Sequence, residues 1–292
     1  MKLSNRVASK SHRVLLFGPP KSGKTQLAGE LSKEFNLLWF DLENGIDTLL
    51  KLPDEQKDRI EVISLPDTRS YPIAIETCLK VIKGGRCEIC EKHGKVSCAV
   101  CKKEEAPTVI VELNTLPLDT VVVFDSLTQL TNSGIAHITK NQAEDYRPEY
   151  NDWANLGKLL DTFLSHAQQA TFNIVCISHE TEAEMEDGKM KLVPTAGTKA
   201  FSRNTAKYFD EVVYCEVKNK KHIAASSTTY NGNILTGSRS GNTLETQLEA
   251  SLIPIFRGDV VTANQLTQKT PATNAVSALE QMRAKLAAAK KS

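Results

Sequence analysis

The order of apolar and polar residues divides the chain into short strands alternating with amphipathic helices. Apolar runs bounded by polar or turn residues predict strands over 13–17, 37–42, 60–65, 120–125, 173–178 and 211–217. Apolar spacings of three and four predict helices over 24–35, where Leu27, Leu31 and Phe35 share a face, and over 70–83 and 153–170. The runs in the 120s and 170s are nearly unbroken Val, Ile and Leu, so those strands need cover on both faces. The pattern predicts an α/β fold: a doubly wound, mostly parallel sheet with helices on both faces.

Three polar stretches interrupt the alternation. Residues 84–107 form a cysteine-bearing insert. Residues 132–152 and 180–198 read as loops after the carboxyl ends of two strands, the edge where ligands bind in such sheets. Past 217 come hairpin-like segments at 223–230 and 233–236. From 258 to 292 the chain is rich in Thr, Ala, Gln and Asn and reads as a flexible tail; only 276–290 has helical spacing (Val276, Leu279, Met282, Leu286). The expected division is a core over 1–257, containing the insert at 84–107, and a tail over 258–292.

Between the first strand and first helix lies Gly18-Pro19-Pro20-Lys21-Ser22-Gly23-Lys24-Thr25, followed by Gln26. This G-x-x-x-x-G-K-T loop has the strand–loop–helix context of a phosphate cradle (the Walker A motif). Its glycines let main-chain N–H groups face phosphates, and the helix start favours negative charge. Lys24 reaches the terminal phosphates, and the Thr25 hydroxyl ligates Mg²⁺. The run 120–125 is the matching Walker B strand, ending in Asp125, a carboxylate for the same ion. The expected cofactors are ATP and Mg²⁺. Ser126 occupies the position where many ATPases place a catalytic glutamate, so the carboxylate that orients water must come from elsewhere. Glu43, in Asp41-Leu-Glu-Asn-Gly-Ile-Asp47 at the carboxyl end of a neighbouring strand, is the candidate, and Asp41 shares its strand face. A turn that only caps a helix at Ile46 is the competing reading.

Charge and cysteine usage narrow the class further. The chain has 36 basic and 35 acidic residues, which excludes a globally basic nucleic-acid coat. No apolar stretch approaches about 18 residues and the first residues have no apolar signal core, so the expectation is a soluble cytoplasmic protein with no membrane partner. Cys78, Cys176 and Cys215 sit in apolar surroundings and read as buried thiols. Cys87-x-x-Cys90 and Cys98-x-x-Cys101 are two metal knuckles and predict a tetrahedral Zn²⁺ hairpin, with His93 as a substitute ligand. Six basic side chains, four glutamates and four zinc-bound thiolates leave this insert near neutrality, which suits a structural or subunit-contact knob better than a DNA clamp.

The Walker A loop, the Asp41/Glu43/Asp47 segment, the Val121-Val-Val-Phe-Asp-Ser126 strand and Ile174-Val-Cys-Ile-Ser-His179 occur in the order seen in RecA-fold ATPases. Over about residues 10–240 the chain resembles, more narrowly, phage RecA-like proteins of the Sak-type single-strand annealing group. The resemblance implies a RecA-like P-loop fold in which Glu43 positions water and His179 replaces the glutamine sensor of RecA. It also implies a ring or filament of identical subunits in which basic residues complete a neighbour's site. Lys218 and Lys220 match the subunit-crossing lysines of RecA. Arg239 matches the arginine of a K-x-R-x-G element, with Gly237 in the lysine's place. Each of these reads otherwise as a solvated hairpin residue, and His179 as a rim residue.

The implied activity is slow, DNA-linked ATP hydrolysis by a recombination protein that binds single-stranded DNA and promotes annealing, in a host-cell cytoplasm if phage-encoded. The loops at 132–152 (Lys140, Tyr146, Arg147, Tyr150) and 180–198, followed by Lys199 and Arg203, are its expected DNA-facing segments. The helix at 276–290 reads as a frayed, unattached tail or as an apolar face for a neighbour or a partner such as a single-stranded-DNA-binding protein. Two other readings stay open: a non-catalytic ATP-bound DNA-binding or assembly protein, and a helicase-type motor or loader.

Overall fold

Strands whose alternate side chains are all apolar can be satisfied only between two covering layers, and that requirement organises the molecule. The computed structural model describes residues 11–228, 230–239 and 250–258; the expected tail helix at 276–290 lies outside them. The strands are β1 (Arg13–Gly18), β2 (Asn36–Asp41), β3 (Ile60–Ser64), β4 (Cys87–Cys90), β5 (Thr108–Val111), β6 (Thr120–Asp125), β7 (Asn173–Glu184), β8 (Met190–Pro194), β9 (Glu211–Lys218), β10 (Lys221–Ala225) and β11 (Gly237–Ser238). The helices are α1 (Lys24–Gly29), α2 (Asp54–Lys57), α3 (Ile73–Val81), α4 (Ala99–Lys103), α5 (Leu127–Thr139), α6 (Tyr150–Gln169), α7 (Lys199–Ser202) and α8 (Ile253–Arg257).

The main sheet runs β10-β9-β1-β7-β6-β2-β3, with β8 and β11 attached to β7 and β9. From β9 to β3 every pairing is parallel, while β8, β10 and β11 are antiparallel additions. Period-two alternation sends Val14, Leu16, Trp39, Val123 and Val175 to one face, under α1 and α8. Leu15, Phe17, Phe40, Phe124 and Ile174 go to the other, under α3, α5 and α6. This is the doubly wound α/β sheet with helices on both faces expected of a RecA-like P-loop fold. Among the described residues no helix is long and apolar enough to cross a membrane.

Several elements differ from expectation. The region 132–152 is not one loop: α5 extends to Thr139, and only 140–149 lack regular structure. Ser126 caps α5 by accepting from Gln129 N (3.2 Å), and Leu127, Leu130, Thr131 and Gly134 form its buried stripe. Helix α6 starts at Tyr150, earlier than expected, because Glu149 and Asp152 form a reciprocal capping box. The region 180–198 is largely a hairpin, since β7 runs on to Glu184 and returns as β8 through Asp187-Gly188, with Gly188 at φ 78°. The helix after the phosphate loop is shorter than 24–35, giving way to a 3₁₀ turn at Glu30–Lys33.

Candidate functional site

The loop after β1 is shaped by contacts that only glycine permits. Gly18 has φ 151°, and a Cβ there would lie 2.0 Å from the Cys215 carbonyl oxygen on the neighbouring β9. Gly23 has φ 92°, and its Cβ would meet His222 Nδ1 at 2.8 Å. Within this turn Pro19, Pro20 and Lys21 form the rim, Ser22 is buried, and the Lys24 side chain folds back inside it. Lys24 Nζ donates to the carbonyls of Gly18 (3.0 Å) and Pro19 (2.8 Å) and to Ser22 Oγ (3.5 Å). Burial lowers its pKa, and the charges of Asp125 and Glu43 partly offset that. A buried ammonium held on neutral carbonyls is a cation that phosphate oxygens can claim.

Parallel pairing brings the acidic residues to the same edge. Asp41 and Asp125 are register partners on β2 and β6, and His179 of β7 stands opposite Gly18 of β1. Thr25 Oγ1 donates to Asp125 Oδ2 (3.1 Å). The Asp125 carboxyl is pushed up to about 7 by burial, with Glu43 and Asp41 adding to the rise and Thr25 and Lys24 opposing it. A carboxylate so buried among acids favours a divalent cation, and Thr25 and Asp125 are the oxygen donors present for Mg²⁺. The residues fit an ATP–Mg²⁺ site.

Glu43 reaches this edge by a different route from the one expected. Strand β2 stops at Asp41, so the two acids do not share a strand face. Asp41 is buried, its Oδ1 accepts from Gly45 N (3.1 Å), and burial raises its pKa. It shapes the turn that presents Glu43, with Asn44 left-handed at φ 55°. Asp47 lies in the first turn of a 3₁₀ helix, Ile46–Lys51. Burial pushes the Glu43 carboxyl up, but His179, Ser126 and Lys24 outweigh it and leave its pKa below the usual value. Ser126 Oγ donates to Glu43 Oε1, and His179 Nε2 lies 3.6 Å from the same oxygen. His179 N donates to Thr128 Oγ1 (2.9 Å), and His179 Nδ1 is buried with no hydrogen-bond partner among the described residues.

Two residues that the sequence reading passed over belong to this site. Ser126, read only as a missing glutamate, holds Glu43 and caps α5. His222 of β10 has Nδ1 3.0 Å from the Ser22 carbonyl oxygen. With Ser22, Gly23, Gln26, Ala224 and Ser251 it lines a cavity of about 830 Å³ beside the phosphate loop. Gln26 Nε2 meets Glu30 Oε1 at 3.5 Å on that wall. No sequence signal marks His222; it arrives by the pairing of β10 with β9.

The basic candidates lie apart from these groups. Lys218 ends β9 and Lys220 sits in its tight turn at φ 62°, both exposed, four and six residues past the β9 position that pairs with Phe17. Arg239 follows β11, which pairs with the start of β9, so it stands at the opposite sheet edge from its own phosphate loop. Its guanidinium donates to the Lys207 carbonyl. Of the DNA candidates, Lys140, Arg147 and Tyr150 are exposed, whereas Tyr146 is half-buried and donates to Asp152 Oδ2 (2.6 Å). Lys189 at the hairpin tip pairs with Asp187 (3.2 Å), and Arg203 Nη1 donates to the Glu184 carbonyl (3.1 Å).

The insert brings together a different set of side chains from the four cysteines expected. Cys90, His93, Cys98 and Cys101 converge, with their ligand atoms all within 4.8 Å of one another. Cys87 is not among them. It begins β4, and residues three apart on a strand point to opposite faces, so Cys87 joins Ile89 in the main core while Cys90 turns away.

A family profile described as an AAA domain matches residues 10–247. No curated protein matches the chain. Among solved structures, one titled as the RadB recombinase is similar at 18% identity, covering 76% of this chain and 83% of that one, with a TM-score of 0.39. An ATPase from the type III secretion system of pathogenic bacteria is similar at 12% identity, over 70% of this chain and 52% of that one, also at 0.39. Likeness at this level carries no argument about activity.

Proposed function

This chain belongs to the AAA domain family, and on that premise we propose that it is a Mg²⁺-dependent ATPase of DNA recombination that binds single-stranded DNA and promotes annealing. The observation that carries the ATPase reading is the meeting of Lys24, Thr25, Asp125 and Glu43 at one sheet edge. Gly18 to Gln26 wrap the phosphates, with Lys24 leaving the loop carbonyls for the terminal phosphate. Thr25 and Asp125 hold the magnesium, which neutralises charge on the transferring phosphoryl group. Glu43 accepts a hydrogen bond from the attacking water and orients it. Ser126 and His179 fix the Glu43 carboxylate, and its lowered pKa keeps it ionised at neutral pH.

For DNA, support comes from the exposed Lys140, Arg147 and Tyr150 and from the β7–β8 hairpin, which extends past the edge that carries Glu43. In our reading identical subunits assemble into a ring or filament. Arg239, remote from its own phosphate loop, then completes a neighbour's site, and Lys218 and Lys220 reach outward for the same purpose. The seven described cysteines are all free, which agrees with a reducing compartment such as the cytoplasm. The test is steady-state ATP turnover with and without single-stranded DNA, alongside annealing of complementary oligonucleotides. Stimulation by DNA is expected; turnover indifferent to DNA, with no annealing, would remove the recombination reading and leave the ATPase standing.

A further inference from the structure

We propose that Cys90, His93, Cys98 and Cys101 bind one tetrahedral zinc-class ion that replaces a hydrophobic core in the insert and clasps it to α3. The proposal is independent of nucleotide chemistry. Its first support is spacing: Cys90-x-x-His93 and Cys98-x-x-Cys101 are two knuckles of equal length. Its second is geometry. His93 Nδ1 lies 3.0 Å from Cys101 Sγ and 3.7 Å from Cys98 Sγ. Metal bonds of about 2.3 Å to sulfur and about 2.0 Å to nitrogen place a nitrogen and a sulfur of one tetrahedron roughly 3.5 Å apart, and the two nitrogen–sulfur separations lie on either side of that spacing.

The surroundings say why a metal is needed. At the ligand end of the insert the hydrophobic cluster consists of Cys90, Cys98 and Cys101 with only Ala106 packed against them, whereas Cys87, Ile89 and Val96 lean on the main core. A segment this small cannot bury enough apolar surface to order itself, and the metal-binding energy supplies the deficit. The cysteines form no disulfide. Three thiolates and an imidazole are soft donors that select zinc over the magnesium suited to Thr25 and Asp125.

The same turn is tied to the main domain through its backbone. Tyr71 Oη donates to the His93 carbonyl (3.2 Å), and Thr77 Oγ1 of α3 donates to the Gly94 carbonyl (2.7 Å). Gly94, at φ 62°, lies so close to Leu65 that a Cβ would meet its Cδ2 at 2.9 Å. Ligation of His93 therefore fixes the two carbonyls that dock the insert on Tyr71 and α3, beside Leu65.

The experiment uses the full chain purified under reducing conditions without added metal. Metal analysis should give one zinc per chain for the natural sequence and for Cys87→Ser, and little for Cys98→Ser. In a chelator competition, Cys98→Ser should bind at least about 100-fold more weakly, exceeding the loss seen for outer-shell changes. His93→Cys should keep the ion but move the cobalt-substituted spectrum toward that of four thiolates. Removal of zinc should open 91–106 to proteolysis while nucleotide affinity persists. No zinc in the natural chain and none taken up on titration would overturn the site. Zinc lost in Cys87→Ser and kept in His93→Ala would overturn this ligand set.

Discussion

The phosphate loop and the cysteine insert were both legible as spaced motifs, yet the structure keeps the first in one contiguous loop, whereas in the second it sets Cys87 apart and gathers His93 with the other three cysteines. The difference is physical. A phosphate loop is a local object: glycines, a lysine and a hydroxyl within eight consecutive residues, with backbone geometry that follows from their order. A metal knuckle depends on which way each side chain leaves its backbone. At Cys87 that direction is set by β4, which pairs with β5 some twenty residues away (Cys87 with Val111). The regions also differ in what holds them. Gly18 ends a strand packed between two large hydrophobic clusters, while the ligand end of the insert gathers only its own sulfur atoms and Ala106.

The sharpest way to press this contrast is to remove chemistry from the first region and support from the second. Glu43→Gln keeps the side-chain shape and the Ser126 contact but loses the charge that orients water. Turnover should fall about 10²–10⁴-fold, the range for a lost general base, with ATP affinity within about threefold. Equal turnover in the variant would remove Glu43 as the group that orients water, and annealing unchanged despite lost turnover would return the protein to the class that uses ATP only as structural glue. By contrast, Cys98→Ser should leave ATP affinity within a similar margin while its insert becomes protease-sensitive. If it abolished nucleotide binding as well, the two regions would not be separable in the way the two clusters imply.

A pH experiment sharpens the comparison from the side of the phosphate loop. The folded Asp125 carboxyl titrates at about 7, far above an unfolded aspartate near about 3.9. A raised pKa means that the folded state holds the proton more tightly. That contribution is fully present below the unfolded value and is lost as pH rises through about 7, where the ionised group becomes a cost. In nucleotide-free and magnesium-free buffer, Asp125→Asn should therefore raise Tm by several degrees at pH 8, and the gain should shrink toward pH 5. Mg²⁺ and ATP together should stabilise the natural protein more than the variant. A variant less stable than the natural chain at pH 8 would mean that Asp125 is not held as a costly buried acid.

How much could be read in advance follows the same local-versus-remote division. The sheet strands were visible because Val121 to Phe124 and Ile174 to Ile177 are apolar on both faces wherever the chain goes. The hairpin at 180–194 was missed because its alternation, with Thr181 and Ala183 between glutamates, was read as mere polarity, although Asp187-Gly188 is a strong turn signal. Helix α5 is masked in the sequence by the polar residues from Asn132 onward, although Leu127, Leu130, Thr131 and Gly134 already carry helical spacing. His222 was not legible at all, since it depends on which strand pairs at the sheet edge. The Asp41 turn, by contrast, stood open as the reading in which the acidic segment caps a helix at Ile46, and Asp41 does accept from Gly45 N ahead of that 3₁₀ turn.

The smallest expected effect separates the two regions most directly at Cys87. This thiol is 7% exposed and packs with Ile89, Val111 and the main core, so it should behave as a small apolar side chain. Cys87→Ala loses one sulfur atom of packing and should cost about 1 kcal/mol, within the usual range for a small core truncation. Cys87→Ser keeps the volume but buries a hydroxyl among apolar neighbours, which costs about 1–3 kcal/mol when it finds no partner. Serine should therefore destabilise more than alanine in urea unfolding, with zinc content unchanged in both. A ligand would behave the other way: either change would strip the metal, and the two variants would fall together. The order of two small stability losses thus decides whether Cys87 belongs to the core or to the cluster.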